Sequence, residues 1–184
     1  MKDLTNKRVA IVATDGFEQS ELLEPKKALE AAGARVDVIS LKPGRIRGWK
    51  MKDWGDEVEV DAVVGSVRAD DYDALVLPGG VINPDKLRLH EDVLAFVRAF
   101  FEQSKPVGAI CHGPWTLINA GVVKGRHVTS WPSLRQDLLN AGARWTDEEV
   151  VAERGLVTSR KPDDLPAFNR KLVEEIAEGV HAPA

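Results

Sequence analysis

The chain has 184 residues with 43% hydrophobic and 29% charged side chains, a length and composition that fit one folded domain over residues 1–184 rather than a disordered segment. Its formal charge of −4 gives no support to a nucleic-acid-binding surface, which should carry a basic excess. Its single cysteine excludes an internal disulfide and cannot by itself build a structural zinc site. No apolar run approaches the ~18 residues of a membrane span. The first residues, Met-Lys-Asp-Leu-Thr-Asn-Lys, do not resemble a secretory signal, so a cytoplasmic location is expected.

In chain order, Arg8–Thr14 (RVAIVAT) is apolar and β-branched and predicts a buried strand. Glu21–Ala32 carries Leu22, Leu23, Ala28, Leu29 and Ala32 near helical spacing, with Pro25 expected in the first turn and Gly33 as the terminator. Arg35–Ser40 predicts a second strand. Lys42–Val67 breaks into Gly- and Trp-bearing pieces and reads as short strands or a ribbon attached to the main sheet; its Arg45, Arg47, Lys50 and Lys52 read as a solvated turn. Asp73–Pro78 predicts a central strand ending at Gly79-Gly80. Pro84–Gln103 predicts one long helix. Lys105–Cys111 predicts a strand running into a helix over Gly113–Asn119. A short strand at His127–Thr129, a helix over Ser133–Asn140, a hairpin over Val150–Ser159 turning at Arg154-Gly155, and a helix over Pro166–Ile176 complete the chain. Asp163 and Asp164 read as caps of that last helix. The alternation predicts an α/β sandwich with a mainly parallel sheet. Ligands of such sheets sit at the carboxyl ends of the strands, where Asp15–Glu18, Gly79-Gly80 and Cys111-His112 fall.

The strongest chemical signal is Gly108-Ala109-Ile110-Cys111-His112-Gly113-Pro114. Cys111 ends an apolar strand where a helix opens, the layout of a nucleophile elbow. Free N–H groups at a helix start favour thiolate over thiol and can hold a developing oxyanion. A lone cysteine is otherwise commonly a small buried hydrophobe, but Gly and His around it at a strand end favour reactivity. Neighbouring side chains diverge at a tight turn, so the His112 backbone N–H is the better-founded oxyanion donor and its ring the less certain base. Glu18 is the candidate carboxyl partner of the sulfur, with a helix-start acid as its plain alternative. Gly80 offers a backbone N–H at a third strand end. Trp131 could wall a pocket. No G-x-G-x-x-G, P-loop or H-E-x-x-H motif occurs, and His90, His127 and His181 lack ligand-like spacing to one another, so neither cofactor nor metal is expected.

Together these residues resemble the PfpI branch of the ThiJ/PfpI superfamily, the parkinsonism-associated deglycases. The landmarks are Gly16-Phe17-Glu18 with Glu21, Leu77-Pro78-Gly79-Gly80, Ala109–Pro114, Thr129-Ser130-Trp131, and Ser159-Arg160 with Pro162 and Asp164-Leu165. The resemblance implies a flavodoxin-like three-layer sandwich, Cys111 as nucleophile, Glu18 as its carboxyl partner, and oxyanion donors at Gly80 and His112. In PfpI-type peptidases a Glu from a neighbouring subunit orients the histidine; Asp85 takes its place here with one methylene fewer. The implied function is a stress-response, cysteine-dependent hydrolase or lyase acting on reactive dicarbonyls or glycated adducts. The alternatives are an intracellular cysteine peptidase, or a redox sensor or holdase without turnover. A glutaminase-type amidotransferase is disfavoured because no downstream His-x-Glu occurs. The implied partners are a small carbonyl compound or a peptide, together with further copies of the chain in a homodimer or larger ring.

Overall fold

A computed structural model describes residues 2–181. β1 (Arg8–Val12) leads to the two-residue β2 (Phe17–Glu18) and α1 (Gln19–Ala31). β3 (Arg35–Ser40) is followed by β4 (Arg45–Lys50), β5 (Asp53–Glu59) and β6 (Ala62–Val63). β7 (Ala74–Leu77) runs into α2 (Ile82–Leu87) and α3 (Glu91–Glu102), and β8 (Val107–Ile110) into α4 (Pro114–Ala120). β9 (His127–Val128), α5 (Arg135–Asn140), β10 (Arg144–Trp145), β11 (Val151–Glu153), β12 (Leu156–Ser159) and α6 (Leu165–Glu178) follow.

Seven strands form one sheet in the order β11-β12-β8-β7-β1-β3-β6. All pairs are parallel except β11 with β12. The fold is therefore the expected α/β, flavodoxin-like sandwich. Helices cover both faces, so β1, β7, β8 and β12 are buried almost throughout and read as continuous apolar runs rather than alternating ones. Ala10, Val12, Leu75 and Leu77 pack in one core with Val93, Val97, Phe100 and Leu117 of α3 and α4. Val9, Ile11 and Val76 pack in the other with Leu22, Leu29, Phe168 and Leu172 of α1 and α6. Each large side chain so buried contributes about 1.5–3 kcal/mol.

Three expectations are corrected. Pro84–Gln103 is not one helix: His90 takes an extended backbone, φ −101°, ψ 111°, and separates α2 from α3. The reason lies in α2, whose buried Asn83 accepts the Thr14 N–H at 2.8 Å and donates to Pro78 O and Gly79 O. That pins α2 over the strand ends while α3 runs back along the sheet. The Lys42–Val67 ribbon is mostly separate from the main sheet. β4 and β5 are antiparallel and join β2 in a small three-stranded sheet, and only β6 pairs with β3. The basic stretch is accordingly strand and hairpin, with Arg45 paired to Glu57 and Glu59. Finally, α1 begins at Gln19, so Pro25 lies inside the helix rather than in its first turn, and Glu21 occupies that turn instead.

Candidate active site

β8 is apolar and buried, and its last residue delivers the chain to Cys111 at φ +61°. A left-handed non-glycine residue costs roughly 1–3 kcal/mol and persists only where its surroundings over-determine it. Here the Cys111 N–H donates to Ser159 O at 3.0 Å, and its C=O accepts the Trp131 N–H at 3.0 Å. The Gly113 N–H closes the turn on Ile110 O at 2.9 Å. Pro114 then opens α4. The strand–turn–helix elbow expected from sequence is thus built, and its backbone is fixed by β12 on one side and the Trp131 segment on the other.

Cys111 is 8% exposed. The backbone N–H groups of Gly80 and His112 lie close enough to its sulfur to favour the charged form, which puts the two expected oxyanion donors on one side of the thiol. Gly80 sits at φ +78°, and a Cβ there would lie 2.4 Å from Gly16 O. At Gly79 a Cβ would lie 2.5 Å from Glu21 Oε1 and 2.7 Å from Cys111 Cβ. The Gly-Gly pair is therefore required by close approach to the site.

The carboxyl at the sulfur belongs to Glu21, which corrects the expectation for Glu18. Glu21 is fully buried; its Oε1 accepts the Gly79 N–H at 2.9 Å, and the carboxyl and the Cys111 thiol stand within hydrogen-bonding reach. Its Oε2 has no aligned donor among the described residues. Glu18, one turn earlier, is half-buried and takes a hydrogen bond from Ser20 Oγ at 3.3 Å. It lines a neighbouring cleft of about 490 Å³ with Ser20, Leu23, Lys50 and Met51. The missed signal was positional. On a helix starting at Gln19, Glu21 shares a stripe with Pro25 and Leu29, all buried, and an acid in an apolar stripe needs a special partner.

Burial pushes the Glu21 carboxyl up to about 8, with the charge of Glu18 adding to it. Burial also raises Glu18, against the opposing Ser20 hydrogen bond. The Cys111 thiol is pushed up by burial and then by a charged Glu21, while the Gly80 and His112 N–H groups pull it down. The sequence-based expectation that a helix start favours the thiolate is thus outweighed by desolvation, and α4 has only seven residues to oppose it. With Glu21 neutral near pH 7 the like-charge repulsion on the sulfur is absent. Thiol and carboxyl then titrate as a pair rather than as two independent groups.

His112 also departs from expectation, because its side chain does face its own neighbour's thiol. Nδ1 lies 3.2 Å from Cys111 Sγ, made possible by the left-handed backbone of Cys111. Burial lowers the imidazole's pKa, so the ring is a neutral base. Trp131 stacks on it at 6.2 Å between centroids and 23° between planes, and Trp115 meets it edge-on at 5.0 Å and 72°. Asp85 is exposed on α2 and makes no side-chain hydrogen bond or ion pair among the described residues. Asp164 is the bidentate partner of Arg160, accepting from Nε and Nη2 at 3.0 Å and from the Arg160 N–H at 2.9 Å, rather than a simple cap. The histidine-spacing argument overlooked one cluster at the end of α6. There ligand atoms of Glu175, Glu178 and His181 lie within 4.8 Å of one another. Lys171 Nζ, 3.7 Å from Glu175, already supplies positive charge there, and the cluster shares no residue with the Cys111 site.

The sequence profile of the DJ-1/PfpI family matches residues 7–175. The chain belongs to the DJ-1/PfpI family. General stress protein 18 of Bacillus subtilis is 47% identical over 90% of this chain and 95% of its own length. Deglycase TK1284 of Thermococcus kodakarensis is 45% identical over 91% and 98%. YraA of Bacillus subtilis, named a candidate cysteine protease, is 46% identical over 90% and 96%. Among solved structures, Drosophila melanogaster DJ-1beta superposes with a TM-score of 0.84 at 29% identity, covering 96% of this chain and 91% of its own. The elbow, Gly-Gly turn and buried Glu21 described above thus stand in a DJ-1/PfpI scaffold. No helix among the described residues is long and apolar enough to cross a membrane.

Proposed function

We propose that this chain is a cysteine-dependent enzyme that converts reactive dicarbonyls, or removes them from glycated amino groups, through Cys111. The carrying observation is the convergence on one sulfur of a neutral imidazole at 3.2 Å, a carboxyl with its pKa raised to about 8, and two backbone N–H donors. The deglycase relative of comparable length supports the same reading.

The chemistry follows from the groups. His112 accepts the thiol proton as Sγ adds to the aldehyde carbon of a 2-oxoaldehyde, and that proton passes to the carbonyl oxygen, giving a hemithioacetal. The Gly80 and His112 N–H groups stabilise charge as it moves from sulfur to oxygen. Transfer of the C1 proton to C2, through a base at this site, turns the hemithioacetal into a 2-hydroxy thioester. Water cleaves that thioester to the hydroxy acid and returns the thiol. Glu21 can hold or release a proton near neutrality and is placed for that transfer. With an amine adduct, the C–N bond breaks as C–S forms, and the amine leaves with the thiol's proton.

A peptidase reading has one observation in its favour. Asp85 lies on α2 between two exposed apolar residues, Val81 at 55% and Leu89 at 81%, a surface that a second copy could cover so as to bring its carboxylate to His112. We place the protein in the cytoplasm as a homo-oligomer on the same reading. The test is side-by-side turnover of methylglyoxal, a methylglyoxal-modified N-acetyl amino acid and a peptide, by the parent protein and Cys111→Ser. The proposal expects hydroxy-acid formation from the first two, reduced more than about a thousandfold in the variant. Peptide cleavage without dicarbonyl turnover would replace it with the peptidase reading.

A further inference from the structure

One side chain holds the Gly79-Gly80 turn from behind. Asn83 is fully buried on α2. Its Nδ2 donates to Pro78 C=O at 3.1 Å and to Gly79 C=O at 3.2 Å, while its Oδ1 accepts the Thr14 N–H at 2.8 Å. The Glu18 N–H shares the Gly79 carbonyl at 3.2 Å.

The C=O and N–H of a trans peptide lie in one plane and point in opposite directions, so a bond to one end aims the other. In the Pro78–Gly79 peptide the carbonyl is on Asn83 and the N–H donates to Glu21 Oε1 at 2.9 Å. In the Gly79–Gly80 peptide the carbonyl is again on Asn83, and the N–H faces the Cys111 sulfur, whose charged form it favours. Both groups that meet the reacting pair are thus aimed by one carboxamide on the far side of the turn. Glycine offers little resistance of its own to rotation of such a peptide. Nor can either position take a side chain that would resist it, since a Cβ would lie 2.5 Å from Glu21 Oε1 at Gly79 and 2.4 Å from Gly16 O at Gly80.

We propose that Asn83 is a positioning residue: its amide fixes the two consecutive peptide planes that point the Gly79 N–H at Glu21 and the Gly80 N–H at the sulfur and the oxyanion formed beside it. A donor works at an oxyanion only when it is aimed before the charge arrives. Because Asn83 is fully buried, a second copy laid over the exposed side of α2 leaves these bonds in place.

The inference rests on the Cys111 reading, and its test separates the two. In the full-length protein, Asn83→Leu keeps the volume and removes the amide. Val97→Ala, which opens a cavity in the core under α3, controls for lost stability alone. The readouts are kcat and KM for methylglyoxal, and the pH dependence of Cys111 alkylation by iodoacetamide, which needs no turnover. For Asn83→Leu the expected kcat is lowered between about ten- and a hundredfold, with KM within about threefold, the pattern of a donor used in the transition state. Its alkylation profile moves to higher pH, because the Gly80 N–H no longer supports the thiolate. Val97→Ala keeps the parent's kcat within about twofold and the parent's alkylation profile. An Asn83→Leu protein with the parent's kcat and alkylation profile, or one whose losses match those of Val97→Ala, overturns the proposal and leaves Asn83 a purely structural pin. Should Asn83→Leu lose its far-ultraviolet circular dichroism, Asn83→Val makes the same comparison. Failure of the underlying reading has a different signature, namely undiminished turnover in Cys111→Ser.

Discussion

Replacing Glu21 by Gln tests whether a protonated carboxyl is built into the core. The side chain is fully buried and its pKa rises from 4.5 to about 8, chiefly through burial. A group whose folded pKa is raised binds more protons in the folded than in the unfolded state between those two values. Folding stability therefore falls as pH rises from 4.5 to about 8 and is flat outside that window, as far as this group is concerned. At about 1.4 kcal/mol per tenfold change, the full loss is on the order of 5 kcal/mol. Gln keeps the volume and the Oε1 acceptor that the Gly79 N–H uses, but cannot ionise. Urea denaturation of the parent and Glu21→Gln between pH 4.5 and 9 should show similar stabilities at the acid end. By pH 8 to 9 the variant should lead by several kcal/mol, while its dicarbonyl turnover is reduced because no proton can be exchanged there. A stability difference that does not change with pH would refute the raised pKa and with it the paired titration of thiol and carboxyl.

Two further substitutions test the scaffold around the sulfur. Gly80→Ala combines a left-handed backbone with a Cβ placed 2.4 Å from Gly16 O; a loss of more than about 2 kcal/mol by urea denaturation is expected, together with lost activity. Arg160→Met leaves the Asp164 carboxylate, 2% exposed, without the bidentate partner that satisfies it. About 3 kcal/mol of stability should be lost, and Asp164→Asn in the same background should recover part of it.

The sheet was legible because a parallel strand covered on both faces has to be a short apolar run, and RVAIVAT, DALVLP and KPVGAIC are such runs. The elbow was legible because Cys-His-Gly-Pro at a strand end satisfies few other geometries. Glu21 was not singled out as the sulfur's partner, because its burial depends on where α1 begins, and the two residues of β2 that set that start are too short to show a period. The break at His90 was hidden for a similar reason: the apolar positions of α2 and α3 run on without a proline or glycine between them, and tertiary pinning through Asn83 decides the geometry. The His112 contact with its own neighbour was unreadable, since it arises from the positive φ of Cys111, a value no residue type at that position announces.

Mass spectrometry of the protein quenched during methylglyoxal turnover tests the central claim most directly. The account predicts one substrate-derived adduct on the peptide containing Cys111, formed and lost at rates consistent with turnover and absent from Cys111→Ser, which makes no hydroxy acid. Hydroxy acid formed by Cys111→Ser at the parent's rate, or turnover with the Cys111 peptide never modified, would contradict it.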